Sequence, residues 1–462
     1  MNREERQNIG VSKWLDSPIG GTLVYPPAFG KTYVGIKVLN RINTNNAIVI
    51  LPNEITLKQW ESVLENTSIT YTTLRRFIKN RRKFQEYYET IIVDELHLFD
   101  NNEGIAIIDK KLLTYSKILA LTATYPSNNL SIFNARCPKL DYISENEAVK
   151  NNWIASFKEY NIGIELSETH RSEYDNYTKY MSRVLEKFNN NLNNILYCVT
   201  GFYHKPSNKF ITPFEFRKKY AAKKGWSEYL TLTNRREQFL DEAWNPNVLR
   251  EECDKFKCYM DARNKIINEA QYKVDVVSQI IKRFYQHNKI ISFSQSTVFA
   301  NKLYSNLVFD LDEKIVKYHS NIQSEFRINS KTGDYYRYGK TSKNAGNKKP
   351  FGKTFIKNES IEKIRSGKAK VISTAKALDA GFNVNDLNIA IISSGSINPI
   401  QQTQRKGRVY RLDIYNKEKN VLIFNVYFKN TRDEAKLKER QATNTKEVAI
   451  VELEDVLQIK IT

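Results

Sequence analysis

The chain is poor in cysteine and has no long apolar run. Its four cysteines are Cys137, Cys198, Cys253 and Cys258. Only the last two stand close together, and no second pair of ligands lies at zinc spacing. That excludes a zinc scaffold and predicts reduced thiols in a cytosolic protein. No apolar stretch approaches membrane-spanning length. The start, Met1 to Arg6, is charged and lacks an apolar signal core. The expected location is the cytoplasm, without a membrane partner. Acid is also scarce: 51 Asp and Glu face 72 Lys and Arg, for a net charge of +21. The excess is more than solubility needs and points to a polyanion, most often nucleic acid. A genome biased toward Lys, Asn and Ile would give the same excess, so composition alone does not decide. The 462 residues, 41% of them hydrophobic, suffice for two or three globular domains.

One stretch organises the rest. Thr22 to Tyr25 is an apolar strand signal, Gly30-Lys31-Thr32 follows a short turn, and Tyr33 to Leu39 reads as a helix start. Strand, turn, Gly-Lys-Thr and helix make the context of a phosphate-binding loop. Backbone N–H groups at the helix start would cradle phosphate oxygens. Lys31 would reach the β/γ-phosphates and Thr32 would hold Mg²⁺. The full pattern wants glycine where Tyr25 stands, and Pro26-Pro27 follow it. Upstream, Gln7 could read an adenine edge; an exposed polar residue is the alternative.

Successive strand ends carry polar groups. Ala47 to Leu51 is an apolar strand stopped by Pro52. Thr90 to Val93 runs into Asp94, Glu95 and His97. Carboxylates at the C-terminal end of a buried strand sit where open α/β sheets place their chemistry. Asp94 suits Mg²⁺ and Glu95 suits polarising a water. Lys117 to Leu121 leads to Thr122 and Thr124. This strand–helix alternation predicts a parallel α/β sheet over 1–150. Residues 151–268 read as a mainly helical insertion, with one strand near Asn161 to Leu166. Tyr174, Tyr177, Met181, Leu185 and Phe188 fall at helical spacing and are expected in its core. Phe202 to Tyr229 mixes aromatic and basic residues, which suits nucleic acid or a solvated helix face.

The β/α pattern resumes over 269–430. Strands are expected at Lys289 to Gln295, Lys314 to Ser320, Lys370 to Thr374, Leu387 to Ser393 and Asn420 to Tyr427. Arg327 to Lys357 reads as a long basic loop or hairpin, expected to touch phosphates. It holds a second Gly352-Lys353-Thr354, but no apolar strand precedes it, which excludes a phosphate loop there. Gln404, Arg408 and Arg411 lie in a basic segment with Gly407 among them. Residues 431–462 read as a charged helix and β tail, with no nuclease cluster.

The order of these segments resembles superfamily 2 helicases and translocases along nearly the whole chain. Ala28 to Thr32 is similar to motif I, and Ile48 to Pro52 with Gln59-Trp60 to motif Ia. Thr72 to Leu74 resembles the DNA-contacting segment before motif II. Asp94 to His97 resembles motif II, Leu121 to Thr124 motif III, and Ile291 to Gln295 motif IV. Ser373 to Gly381 resembles motif V, and Gln404 to Arg411 motif VI. Arg6 to Trp14 and Gly20-Gly21 look like the start of SWI/SNF-type remodellers. The Pro26-Pro27 loop looks like phage recombination helicases, which suggests a phage or viral member in a host cytoplasm. The resemblance implies two RecA-like parallel-sheet lobes with a mainly helical insertion between them, using ATP and Mg²⁺. It makes Lys31, Asp94, Glu95, Gln404, Arg408 and Arg411 catalytic. Gln7, Gly30, Lys31, Thr32 and Gly381 would bind the nucleotide. His97, Thr122 and Thr124 would couple the lobes. Pro52, Thr72, Thr73, Gln295, His319 and Thr374 would contact nucleic acid. Asn383 replaces a common Asp in motif V. The implied activity is an ATP-dependent DNA helicase or duplex translocase acting on single- or double-stranded DNA. The alternatives are an RNA helicase of the same superfamily, or a nucleic-acid-binding scaffold with an inactive nucleotide site.

Overall fold

The computed structural model describes residues 1–65, 67–204, 207–224, 244–329, 332–338, 342–375, 384, 386–394, 399–412, 419–441 and 448–459. The first sheet contains β1 (Gly20–Val24), β2 (Ala47–Leu51), β3 (Thr70–Thr73), β4 (Tyr87–Asp94), β5 (Thr114–Thr122) and β6 (Lys139–Tyr142). Their order is β3-β2-β4-β5-β1-β6, and every pair is parallel. The central strands are apolar without a break because helices cover both faces. Alternate residues go to opposite sides. Val49, Leu51, Ile92, Leu119 and Leu121 enter one core, while Ile48, Ile50, Ile91, Val93 and Ile118 enter the other. A parallel sheet brings its strand ends to one edge, so the turn after β1, Asp94 and Thr122 gather there.

A helix, Arg3–Asp16, precedes β1. A capping box between Asn2 and Glu5 starts it. Trp14 Nε1 donates to the Ile118 carbonyl of β5 at 2.7 Å, fixing the helix on the sheet.

The second sheet begins earlier in the chain than expected. β7 (Ser156–Ile164) falls in the range read as insertion, yet it pairs in parallel with a strand more than 250 residues away. Its apolar end, Ile162 to Ile164, is short and lies between Asn161 and Glu165, so the sequence marks a strand there but not its place in this sheet. The remaining insertion, Glu165–Ala270, is a compact unit with its own core. It contains helices Glu168–Lys187, Leu192–Thr200, Pro213–Lys223 and Pro246–Glu269, with a small hairpin of β8 (Phe202–His204) and β9 (Lys209–Ile211). Met181, Val184, Phe188, Ile195, Leu249 and Phe256 fill it. Tyr174, Met181 and Phe188 are buried as the spacing predicts, while Tyr177 and Leu185 are half-buried and Val184 takes the buried place one turn after Met181. Trp226 and Tyr229 lie outside the described residues.

The second sheet continues with β10 (Lys289–Ser294) and β11 (Ile315–His319). β12 (Glu325–Phe326) and β13 (Pro350–Phe351) form a separate antiparallel pair. β14 (Val371–Ala375), β15 (Leu387–Ile392), β16 (Asn420–Phe428) and β17 (Ala449–Val451) complete the strands among the described residues. The sheet order is β11-β14-β10-β15-β16-β7-β17, again parallel throughout. The tail expected as a separate piece over 431–462 thus supplies this sheet's edge strand. Its helix Arg432–Gln441 packs on β16, where buried Asp433 accepts from Lys273 Nζ at 2.5 Å. The expected long loop is also shorter, since a helix begins at Lys353 (Lys353–Arg365). Gly352 there has φ −71°, a two-residue antiparallel strand precedes it, and no parallel strand leads into this Gly-Lys-Thr. The architecture is two parallel RecA-like sheets, with a helical unit inserted in sequence within the second.

Candidate nucleotide cleft

The turn after β1 leads directly into helix Lys31–Ile42. Ala28 and Gly30 both take left-handed backbone, at φ 67° and 95°. Glycine accepts such a φ without steric cost. A Cβ on Gly30 would also displace the flexible end of Gln7, whose Nε2 would lie 2.8 Å from it. Gln7 Nε2 donates to the Phe29 carbonyl at 2.9 Å, so this residue braces the loop from the first helix. Tyr25 is buried, and its hydroxyl donates to Asp141 Oδ2 at 2.7 Å. Burial, then that carboxylate, pushes the phenol far above its ordinary pKa. Asp141 also pairs with Arg6 at 2.5 Å and Lys13 at 2.7 Å. This cluster anchors the start of the loop and takes over the place of the missing glycine's tight turn. No local pattern in the sequence marks Asp141.

β4 ends at Asp94, which is buried. Trp60 Nε1 donates to its Oδ2 and the Glu95 backbone N–H to its Oδ1, both at 2.9 Å. Burial, then the neighbouring Glu95 charge, pushes Asp94 up to about 6. Glu95 has φ 54° and ψ 56°, a backbone that costs a non-glycine residue on the order of 1 kcal/mol. Its Oε1 lies 3.9 Å from Lys31 Nζ, and its Oε2 is buried without a hydrogen bond. Two adjacent carboxylates with one lysine for countercharge suit a divalent cation, which would relieve the strain on Asp94. Thr32 and Asp94 line the same cleft and would hold it. Among the described residues no cluster of three or more His, Cys, Asp or Glu forms a separate metal site.

The lobes meet at this edge. A cleft of about 550 Å³ is lined by Lys31, Thr32, Asp94 and Glu95 from the first sheet and by Gln404, Arg408 and Arg411 from the second. Burial lowers the Arg411 pKa, yet a guanidinium stays charged at neutral pH. His97 bridges the lobes through one tautomer. Thr122 Oγ1 donates to the Thr124 carbonyl at 2.8 Å, so it accepts from His97 Nδ1–H at 3.0 Å. That leaves Nε2 to accept from Gln404 Nε2 at 3.4 Å. Burial lowers the His97 pKa and keeps this neutral form. Behind the arginines, Lys406 pairs with Glu159 of β7 at 2.5 Å, both buried. Burial pushes Glu159 up, but Lys406 and the amides of Asn425 and Gln441 outweigh it and hold the carboxyl below its ordinary range.

The expected nucleic-acid contacts fare differently. Thr72, Thr73, His319 and Thr374 are all buried. Thr73 caps helix Leu74–Lys79, accepting from the Arg76 N–H at 3.2 Å. His319 Nε2 bonds Asn301 at 3.0 Å. Thr374 Oγ1 and His319 Nδ1 are buried without a hydrogen bond, and none of these four side chains is open to solvent. Pro52 lines the nucleotide cleft instead. Gln295 is partly exposed at the end of β10. Gly381 and Asn383 lie outside the described residues.

Two family descriptions match the chain. Residues 34–132 match "DEAD/DEAH box helicase" and residues 353–413 match "Helicase conserved C-terminal domain". Both descriptions are of helicase domains, the first matched on the first sheet and the second on the second. Among curated proteins, "DNA 3'-5' translocase XPB2" of Sulfurisphaera tokodaii is 22% identical, covering 92% of this chain and 82% of that protein. The helicase domain of Pyrococcus furiosus Hef aligns with a TM-score of 0.51 at 13% identity, covering 93% of this chain and 96% of that one. S. cerevisiae Dbp5 bound to RNA and ADP BeF3 aligns at 0.52 and 12%, covering 98% and 93%. These likenesses do not single out the SWI/SNF type or phage recombination helicases. No helix among the described residues is long and apolar enough to cross a membrane.

Proposed function

We propose that the chain is a nucleic-acid-stimulated ATPase of the helicase or translocase kind. The observation that carries this reading is the single cleft that brings Lys31, Thr32, Asp94 and Glu95 against Gln404, Arg408 and Arg411. Lys31 and the backbone amides of its helix start hold the β- and γ-phosphates of ATP. Asp94 and Thr32 hold Mg²⁺, which when bound neutralises charge on those phosphates. Glu95 accepts a hydrogen bond from the attacking water and orients it in line. Arg408 and Arg411 stabilise the charge that builds on the transferring phosphoryl group. The two halves sit on different lobes, so hydrolysis requires closure. The His97–Gln404 contact lets each lobe sense the other.

Which polymer is tracked is a finer question, and two readings have support. The relative named as a DNA 3'-5' translocase matches most of the chain. The structural neighbour bound to RNA covers it as fully. The RNA reading therefore stands at least level with the DNA one. The particular expectation of duplex tracking rested on the SWI/SNF likeness, which the matches do not favour.

ATPase rates with single-stranded DNA, duplex DNA, forked DNA and RNA test the proposal. Stimulation by at least one is expected. Lys31→Ala should abolish useful ATP binding, whereas Glu95→Gln should bind ATP and barely turn it over. Arg408→Ala or Arg411→Ala should lower turnover by about 10³–10⁵ with a smaller loss of ATP affinity. Wild-type turnover in both arginine variants would refute the two-lobe site. A chain that binds nucleic acid but never hydrolyses ATP would be the inactive scaffold.

A further inference from the structure

Between β11 and helix Lys353–Arg365 the chain makes an antiparallel excursion. β12 pairs with β13, and bridges join Ile328 to Tyr335 and Arg337 to Lys348. Its arginines serve its own fold. Arg327 pairs with Glu325 and Glu359, and its guanidinium lies over Phe351 and Phe355 at 5.1 and 5.8 Å. Arg337 pairs with Asp334 at 3.0 Å. So the expectation that this whole basic stretch meets phosphate narrows to its lysines. Lys349 forms no ion pair among the described residues, and Lys348 Nζ lies 3.7 Å over the Tyr335 ring.

The aromatics form a supported array. Tyr336 packs edge-on to Phe351 at 5.2 Å, and Phe351 packs against Phe355 at 4.9 Å. Yet Phe326, Tyr336 and Phe355 remain 54%, 40% and 50% exposed. Rings held in place and left facing water mark an interaction surface. The lysines beside them specify a polyanion. Rings interleaved with lysines suit a strand whose phosphates take the charges and whose bases take the ring faces. A duplex offers its phosphates but keeps base faces stacked inside. The excursion also leaves from the end of β11, on the edge where Gln295 is partly exposed, and four other expected contacts on the sheets are buried.

We propose that the described part of this excursion forms a stacking platform for single-stranded nucleic acid. Phe326, Tyr336 and Phe355 receive unpaired bases, and Lys348 and Lys349 hold the flanking phosphates. This rests on the nucleic-acid reading above. Every base has a ring face and the platform reads no 2′-hydroxyl, so it takes DNA and RNA strands alike.

The test is equilibrium binding, without ATP, to oligothymidylate and to an abasic strand with the same number of phosphates. The wild type should prefer the base-bearing strand. Phe326→Leu or Phe355→Leu should weaken that strand about tenfold. Their binding to the abasic strand and the salt slope should not change, and Phe326→Trp should keep the preference. Lys348→Gln with Lys349→Gln should weaken both strands and flatten the log K against log salt plot by about 0.7 per contact. Thermal midpoints of all variants identify any that fail to fold, and the Trp variant covers that case. Equal wild-type affinity for both strands overturns the platform. So do Leu variants that weaken both strands equally or neither, the last pointing to a protein partner for this face. Base-dependent binding without any ATPase stimulation would refute the motor and keep the platform. Stimulation without base preference would do the reverse.

Discussion

Asp94 is the residue whose chemistry is furthest from its ordinary state. Burial beside Glu95 raises it from 3.8 to about 6, and Trp60 and Lys31 only partly offset this. Its ionised form is the one that can hold Mg²⁺. The acid limb of kcat/KM for ATP should therefore fall near pH 6, and raising Mg²⁺ should move it lower, because the metal favours the carboxylate. Stability should show the opposite trend. The folded-state pKa exceeds the unfolded one, so the folded chain binds the extra proton between about pH 4 and 6. The Asp94 contribution to stability is then full below that window and is lost as pH rises through it. In nucleotide-free protein, denaturant titrations at pH 5 and 7 should show this slope, and Asp94→Asn should flatten it. An acid limb near pH 4 would mean that Asp94 is not strained in the way its surroundings imply. At this scale the sequence was informative where chemistry follows local context. Lys31, Asp94 and Glu95 sit at a helix start or strand end that the chain spells out, and Arg408 and Arg411 follow the end of helix Pro399–Lys406. Trp60, Asp141 and Glu159 were not legible as site supports. Their partners lie 34, 116 and 247 residues away for the Asp94, Tyr25 and Lys406 contacts, and no periodicity records such pairings.

At the scale of elements, the unusual Pro26-Pro27 turn finds its reason in the other lobe. A Cβ on Gly407 would meet Pro27 Cβ at 2.2 Å and its Cγ at 3.0 Å. Gly407 does not appear among the residues with positive φ, so contact rather than backbone freedom calls for glycine here. The two residues form the close approach that seats the arginine segment on the phosphate loop. Gly407→Ala should wedge this contact and lower turnover by about 10²-fold, the loss expected from a misplacement of about 1 Å. The thermal midpoint should fall little, because each sheet keeps its own core. Pro27→Ala would not relieve the clash, since alanine retains the Cβ. Pro27→Gly in the Gly407→Ala background should restore part of the turnover. No recovery in the double variant would mean that Gly407 acts through something other than this contact. The strand β7 carries the same lesson about legibility. It reads as a weak strand signal within a helical stretch, and it becomes a central-sheet element because β16 and β17 flank it. Sheet order is a property of the closed chain, so the helical insertion was recognisable and its first boundary was not.

For the whole molecule, the proposed function requires ATP chemistry and nucleic-acid binding to share one closure equilibrium. The residues proposed for catalysis are split between lobes, and the exposed cationic excursion lies on the second. A polymer that binds the closed form better than the open one must shift the equilibrium by its differential affinity, and by no more. Linkage then requires reciprocity. If a nucleic acid strengthens ATP binding by some factor, ATP strengthens binding of that nucleic acid by the same factor. The expected coupling is about 5–150-fold. It should be measured both ways with Glu95→Gln, which binds ATP without appreciable turnover, using a single-stranded DNA, a blunt duplex and an RNA of equal phosphate content. The net charge of +21 predicts that all three bind at low salt, so affinity alone does not discriminate among them. Coupling does, because only a ligand that fits the closed lobes gains from closure. A factor confined to RNA assigns the chain to RNA, and one confined to DNA assigns it to DNA. A similar factor with heparin would mean that charge alone closes the lobes. If no polymer changes ATP affinity, and ATP changes the affinity of none, the two functions are independent and the motor reading fails.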